Sequence, residues 1–264
     1  MAVVNTYEQG TFCWIDLATT DAGSAVVFYT SVFDWQVNDI PTPDGVPYNL
    51  FQQDGHDVCA LYQMPSEMMQ AGTPPAWNSF IAVDDADAMA EQVVARGGSV
   101  IQQPFNVMDF GRMAVLKDPD GAVFSFWQNM SKMGERIVNV PNTWCWNELY
   151  CNNPEQEIAF YEALFSWTHD ISKNPMGLDY VTYKRDGQEL AGMLQIQSDW
   201  GSMPPAWGVY FTVADVQETM AKVKAAGGKV LMDPMPIPGV GEFTSVTDPQ
   251  GAFFNIIRLE QIPD

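Results

Sequence analysis

Basic side chains are scarce in this chain. Its 264 residues carry 12 Lys and Arg against 33 Asp and Glu, a formal charge of −21. Residues 1–133 hold 16 acidic and 4 basic side chains, and residues 134–264 hold 17 and 8, so the excess is not confined to a tail. Such a surface repels phosphate backbones and anionic bilayers, which argues against nucleic acid and membranes as partners. The acidity reads as a solubility adaptation, with a cationic partner as the alternative. Histidine is nearly absent, with only His56 and His169. The four cysteines, Cys13, Cys59, Cys145 and Cys151, form no CxxC pair, so a zinc ribbon is unsupported and free buried thiols are expected. No apolar run approaches the roughly 18 residues of a membrane span. The first eight residues lack the basic and apolar regions of a secretion signal, so a cytoplasmic location is expected. There is no GxGxxG after a strand, no P-loop and no GxSxG.

What is present is a duplication. PPAW at 74–77 recurs at 204–207, Gly97-Gly98 at Gly227-Gly228, and DPDGA at 118–122 as DPQGA at 248–252, all 130 residues on. Earlier in each half the offset is 132: Phe28-Tyr29 matches Phe160-Tyr161, and Trp35 matches Trp167. A period this long points to a duplicated domain and not to a solenoid, whose repeats run about 20–50 residues. Two domains of ordinary size are expected, residues 1–133 and 134–264.

Each half divides again. A strand over 12–19 is followed by Asp21 as a helix cap and a helix over 25–33. Strands around 48–52 and 58–64 come next, and 64–75 reads as a loop. A second unit has a strand over 78–83, Asp85 as cap, a helix over 86–95 ended by Gly97-Gly98, and strands near 99–103, 113–117 and 122–128. Residues 144–200 and 206–260 repeat both units, and 131–142 connect the halves. The expected fold class is α+β, with four β-α-β-β-β modules.

The run Trp14-Ile-Asp-Leu, Asp21, Phe28-Tyr29 and Phe33-Asp-Trp35, with Val83-Asp84-Asp85, Gly97-Gly98 and DPDGA, resembles the vicinal oxygen chelate superfamily, which includes glyoxalase I, bleomycin-resistance proteins and extradiol dioxygenases. The second half repeats the pattern, so the resemblance implies two tandem glyoxalase-like domains. It also implies where a metal would sit. The first-strand ligand positions fall at Trp14, Asn78, Trp146 and Gly208, and the last-strand positions at Ser125 and Asn255. None is His or Glu, so no metal and no cofactor is expected. The repeat mates of His56 and His169 are Gln188 and Val37, so the histidines do not belong to one duplicated site.

Alternation along a strand puts Trp14 and Asp16 on one face, and their mates Trp146 and Glu148 likewise. Asn78 with Phe80, Gly208 with Tyr210, Ser125 with Trp127, and Asn255 with Ile257 complete the two expected cavities. These are aromatic pockets with few polar anchors, as small-ligand sites usually are. Asp16 and Glu148 are the candidate catalytic groups. They are read as structural carboxylates, as anchors for a ligand's hydroxyl or amine, or as general bases raised by apolar surroundings. No Lys or Arg lies on the matching strands to pair with them. The leading functional reading is binding of a small hydrophobic or aromatic metabolite without a catalytic transition metal, by a monomer or homodimer. The alternatives are a glyoxalase-type lyase or oxygenase-like enzyme using Asp16 or Glu148, and an interaction protein with vestigial cavities. The Met-rich stretch 64–69 reads either as a flexible lid or as side chains packed on their own domain.

Overall fold

The computed structural model describes residues 3–42 and 45–261. The first half runs β1 (Phe12–Thr19), α1 (Ala22–Phe33), β2 (Gln36–Ile40), β3 (Tyr48–Gln53), β4 (His56–Gln63), α2 (Ser66–Gln70), β5 (Ala76–Ala82), α3 (Ala86–Ala95), β6 (Ser99–Val107), β7 (Gly111–Lys117) and β8 (Val123–Asn129). The second runs β9 (Trp144–Cys151), α4 (Pro154–Phe165), β10 (Thr168–Lys173), β11 (Asp179–Arg185), β12 (Gln188–Gln195), β13 (Ala206–Thr212), α5 (Val216–Ala225), β14 (Lys229–Val230), β15 (Met235–Ile237), β16 (Gly241–Thr247) and β17 (Phe253–Leu259). The fold is α+β with four β-α-β-β-β modules, as the sequence pattern predicts. The expected loop at 64–75 contains the one-turn helix α2. Pro65 sits at its N-cap, and Glu67 lies in the first turn, where the helix dipole favours an acid.

Each half forms one mixed sheet. The strand order is β2-β3-β4-β1-β5-β8-β7-β6 in the first and β10-β11-β12-β9-β13-β17-β16-β14 in the second, with β15 beside β16. Both modules of a half therefore share a sheet, joined where β1 runs antiparallel to β5 and β9 to β13.

The four long helices are capped by residues legible in the chain. Asp21, Asp85, Asn153 and Asp215 each accept a hydrogen bond from the backbone N–H three residues on, which satisfies an orphan donor. α1 and α4 end at Asp34 and Ser166 in left-handed conformations, and the chain then turns the next residue, Trp35 or Trp167, into the core.

The repeated motifs of the duplication meet across the halves. The Trp77 indole N–H donates to Tyr29 Oη (3.2 Å), and the Tyr29 hydroxyl donates to Asp248 of DPQGA (3.2 Å). Reciprocally, Trp207 donates to Tyr161 Oη (2.8 Å), and Tyr161 donates to Asp118 of DPDGA (3.0 Å). Trp35 donates to the Asn142 carbonyl (2.7 Å) and Trp167 to the Gly10 carbonyl (2.8 Å). The tryptophan, tyrosine and aspartate side chains of these relays are all buried, so each relay satisfies polar atoms that water does not reach. Phe33, Phe211 and Phe254 pack around the first relay, and one apolar core spans both halves. α1 packs on α5 and α3 on α4. The motifs that reveal the duplication thus bind its two copies together.

Candidate functional site

On β1, Ile15 and Leu17 point into the shared core, while Trp14, Asp16 and Ala18 take the opposite face. A cavity of about 180 Å³ opens on that face. Trp14, Phe80, Met113 and Trp127 give it aromatic and sulfur-containing walls, Asp16 and Tyr48 give it a polar end, and Lys132 and Gly134 reach it from the connecting segment. Asn78 and Ser125 stand beside Asp16 and bond to each other, the Asn78 amide donating to Ser125 Oγ (2.9 Å). The strand register brings these residues together: Asp16 pairs with Asn78, Trp14 with Phe80, and Phe80 with Ser125.

Asp16 is 5% exposed and, among the described residues, forms no ion pair. The Tyr48 hydroxyl donates to its Oδ2 (3.1 Å) and the Asn78 amide reaches Oδ1 at a long 3.5 Å. Tyr48 Oη in turn accepts from the Trp14 indole N–H (2.9 Å). Burial penalises the charged carboxylate more than these donors stabilise it, and pushes the Asp16 pKa up to about 7. A carboxylate has about four acceptor sites, so Asp16 keeps acceptor capacity directed at the cavity.

The second half is built differently around its carboxylate. Glu148, 4% exposed, accepts from Tyr210 (3.0 Å), and the Tyr150 and Tyr180 hydroxyls stand close enough to act on its charge. Burial raises its pKa, with the three hydroxyls pulling it back. Trp146 donates to Tyr180 Oη (3.2 Å), as Trp14 does to Tyr48. The difference lies in the residues around it. Tyr210 and Tyr150 stand where the first half has Phe80 and Ala18. Tyr150 lies on Gly208, where a Cβ would come within 2.8 Å of its ring; Asn78 is the mate of that glycine. Asn255 accepts from Ser245 (2.7 Å) and donates to Tyr150 Oη (3.5 Å). Ile257 is buried. The second carboxylate is therefore enclosed by its own tyrosines.

Sequence reasoning brought together Trp14, Asp16, Phe80 and Trp127 on one wall. It missed Tyr48, for which a signal existed: Tyr48 and Tyr180 are mates at the 132-residue offset. It also missed Lys132 and Gly134, whose connecting segment has no repeat to flag it. His56 opens β4, and His169, on β10 of the other sheet, pairs with Glu162 of α4 (2.8 Å), so the two do not converge. The cysteines are free thiols; Cys13 and Cys145, as mates, donate to the Phe80 and Tyr210 carbonyls.

Among the described residues, no three His, Cys, Asp or Glu side chains gather to hold a metal ion. Of the two carboxylates lining the cavity, Asp16 is met by hydrogen-bond donors, Tyr48 and Asn78, and Asp57 by Gln52 and Lys132. A divalent ion needs several lone-pair donors turned toward it. This donor set does not fit one.

No helix is long and apolar enough to cross a membrane among the described residues. The chain is 41% identical over 253 residues to "Putative glyoxylase CFP32" of Mycobacterium bovis, covering 96% of each. It is 31% identical over 268 residues to the anthracycline biosynthesis protein DnrV of Streptomyces peucetius, covering 97% of this chain and 95% of the relative. Its fold is similar to a Mn(II)-bound glyoxalase from Novosphingobium aromaticivorans, with TM-score 0.66, 15% identity and coverage of 97% and 86%. It is similar also to the 2,3-dioxygenase LapB of Pseudomonas sp. KL28, with TM-score 0.65, 10% identity and coverage of 98% and 96%. The model of the Glyoxalase/Bleomycin resistance protein/Dioxygenase superfamily matches residues 11–126 and again 146–256, and the chain belongs to that superfamily.

Proposed function

We propose that the protein binds a small aromatic metabolite in the first-half cavity, through Trp14, Phe80 and Trp127, with Asp16 accepting a hydrogen bond from the ligand. No metal bound by these side chains takes part in this reading. The carrying observation is the contrast between the two carboxylates. Glu148 sits among the Tyr210, Tyr150 and Tyr180 hydroxyls, whereas Asp16, bonded by Tyr48 and at long range by Asn78, lines the open cavity. The second half then serves as structure. The names of the relatives, a glyoxylase and proteins of anthracycline biosynthesis, point to small-molecule chemistry and support the same direction. A titration with 2-naphthol tests the reading. Saturable quenching of tryptophan fluorescence is expected, weakened at least tenfold in Trp14→Ala and in Asp16→Asn. Binding unaffected by either substitution overturns it. One mole of transition metal per chain, lost in Asp16→Asn, contradicts its metal-free part.

A second reading is favoured by one observation. A carboxylate raised to about 7 is matched to proton abstraction near neutral pH. Asp16 then removes a proton from a weakly acidic C–H of the bound ligand, as a lyase or isomerase step requires. Deuterium wash-in from solvent into such a carbon acid, lost in Asp16→Asn, distinguishes this from binding alone.

A further inference from the structure

The cavity does not end at its aromatic walls. Asp57, Lys132 and Gly134 line it and also line a second, polar groove that continues through Gln52, His56, Ser131 and Arg136. In a chain with 12 basic residues and a net charge of −21, this groove gathers Lys132 and Arg136 against one acid, Asp57, with His56 on its wall. Asp57 already accepts from Gln52 (2.7 Å) and from Lys132 (3.1 Å). The Arg136 guanidinium has only weak neutral partners, Met133 Sδ (3.5 Å) and Asn5 Oδ1 (3.4 Å). Among the described residues no carboxylate lies within ion-pair distance of it. A half-buried arginine without a carboxylate, in a protein with nearly three acids per base, is an electrostatic feature that folding does not explain.

Its backbone shows that the placement is built in. Arg136 N–H donates to the Asp57 carbonyl (3.0 Å), and the Val4 N–H donates to the Arg136 carbonyl (3.0 Å). Gly134, at φ +135°, lies so close to Cys13 that a Cβ would come within 2.2 Å of its carbonyl oxygen. The Trp127 indole, on the cavity wall, donates to the Lys132 carbonyl (2.8 Å). Residues 132–136 are thus fixed to β1, β4 and β8 at the edge of the cavity.

Resting on the binding reading above, we infer that the ligand of this cavity is an aromatic carboxylate, its ring system between Trp14, Phe80 and Trp127 and its carboxylate group in the groove facing Arg136 and Lys132. Arginine suits this role because its planar fork matches a carboxylate with two parallel hydrogen bonds. The negative charge of the rest of the protein weakens this attraction little, since charges beyond about 8–10 Å are screened at physiological salt. Ligand polarity then runs in one direction, with a hydrogen-bond donor at Asp16 and the anion at the other end, away from the buried carboxylate.

The test compares 2-naphthoate with 2-naphthamide, which share a ring and nearly a shape but differ in charge. Both are titrated by tryptophan quenching against the full chain, against Arg136→Gln and against Lys132→Gln. The wild-type protein is expected to bind the carboxylate at least tenfold tighter than the amide, with the gap shrinking as salt rises. In Arg136→Gln the carboxylate loses about tenfold while the amide changes less than twofold; that unchanged amide affinity also shows the cavity intact. Lys132→Gln gives a smaller loss for the carboxylate, because Lys132 is already paired with Asp57. If the wild type binds both probes equally, or Arg136→Gln weakens both equally, the inference is overturned and the binding reading stands. If neither probe quenches, the cavity reading fails and the inference with it.

Discussion

Phe80→Tyr converts the first half toward the second at the position that separates them most. In the second half the mate of Phe80, Tyr210, places its hydroxyl 3.0 Å from Glu148. Phe80 is 2% exposed, lines the cavity and pairs in register with Trp14, so a tyrosine there directs its hydroxyl along the same wall toward Asp16. A hydrogen bond to a charged group contributes about 1.5–3 kcal/mol, or roughly 1–2 pKa units at 1.36 kcal/mol each. Asp16 is one methylene shorter than Glu148, which leaves room for one bridging water, so the lower end is expected. The Asp16 pKa then falls from about 7 to about 6. Trp14 reports it, because its indole bonds to the tyrosine that bonds to Asp16. The pH midpoint of Trp14 fluorescence should move down by about one unit, and 2-naphthol affinity at pH 7.5 should drop about tenfold as the new hydroxyl competes for Asp16. An unchanged midpoint with unchanged affinity refutes the claim that open acceptor capacity on Asp16 defines the site.

Three further outcomes follow from the same geometry. Tyr161→Phe strands the Trp207 N–H and one Asp118 oxygen in the core, so denaturant unfolding should show a loss of about 2–4 kcal/mol, and Tyr29→Phe a similar loss; a loss under about 0.5 kcal/mol removes the relays from the account. Asp16→Asn should raise stability at pH 8 relative to pH 4, by up to about 4 kcal/mol, in urea melts at the two pH values. The sign follows from the raised folded pKa: the neutral acid's contribution is complete below pH 4 and lost as pH rises through about 7, whereas the amide never ionises. Gly134→Ala forces a Cβ against the Cys13 carbonyl at a backbone angle L-residues avoid, and should cost about 3 kcal/mol or more by the same urea assay.

Much of the fold was legible because its signals are local and repeated. Asp21, Asp85 and Asp215 announce their helices, and the 130–132-residue offset announces two copies. The offset does not say whether a motif meets its partner within a half or across, since both arrangements give the same spacing. Tyr29 bonding to Asp248 rather than Asp118 is a tertiary fact. Trp14 and Asp16 were legible from strand alternation, since a period of two fixes which residues share a face. That Asp16 is open and Glu148 enclosed was not, because it depends on Ala18 and Phe80 being small or lacking a hydroxyl across neighbouring strands. Lys132 and Arg136 were invisible because a connecting segment carries no helical or strand period. The helix α2 was hidden in a Met-rich stretch with no cap residue, Pro65 standing at its N-cap without a side-chain hydrogen bond.

The central claim is that a duplicated protein has one working cavity, and binding stoichiometry tests it most directly. Isothermal titration of the full chain with 2-naphthoate at protein concentrations well above Kd is expected to give one ligand per chain, with the signal weakened in Trp14→Ala and unchanged in Trp146→Ala. Two ligands per chain, or one ligand lost on Trp146→Ala and kept on Trp14→Ala, would contradict it.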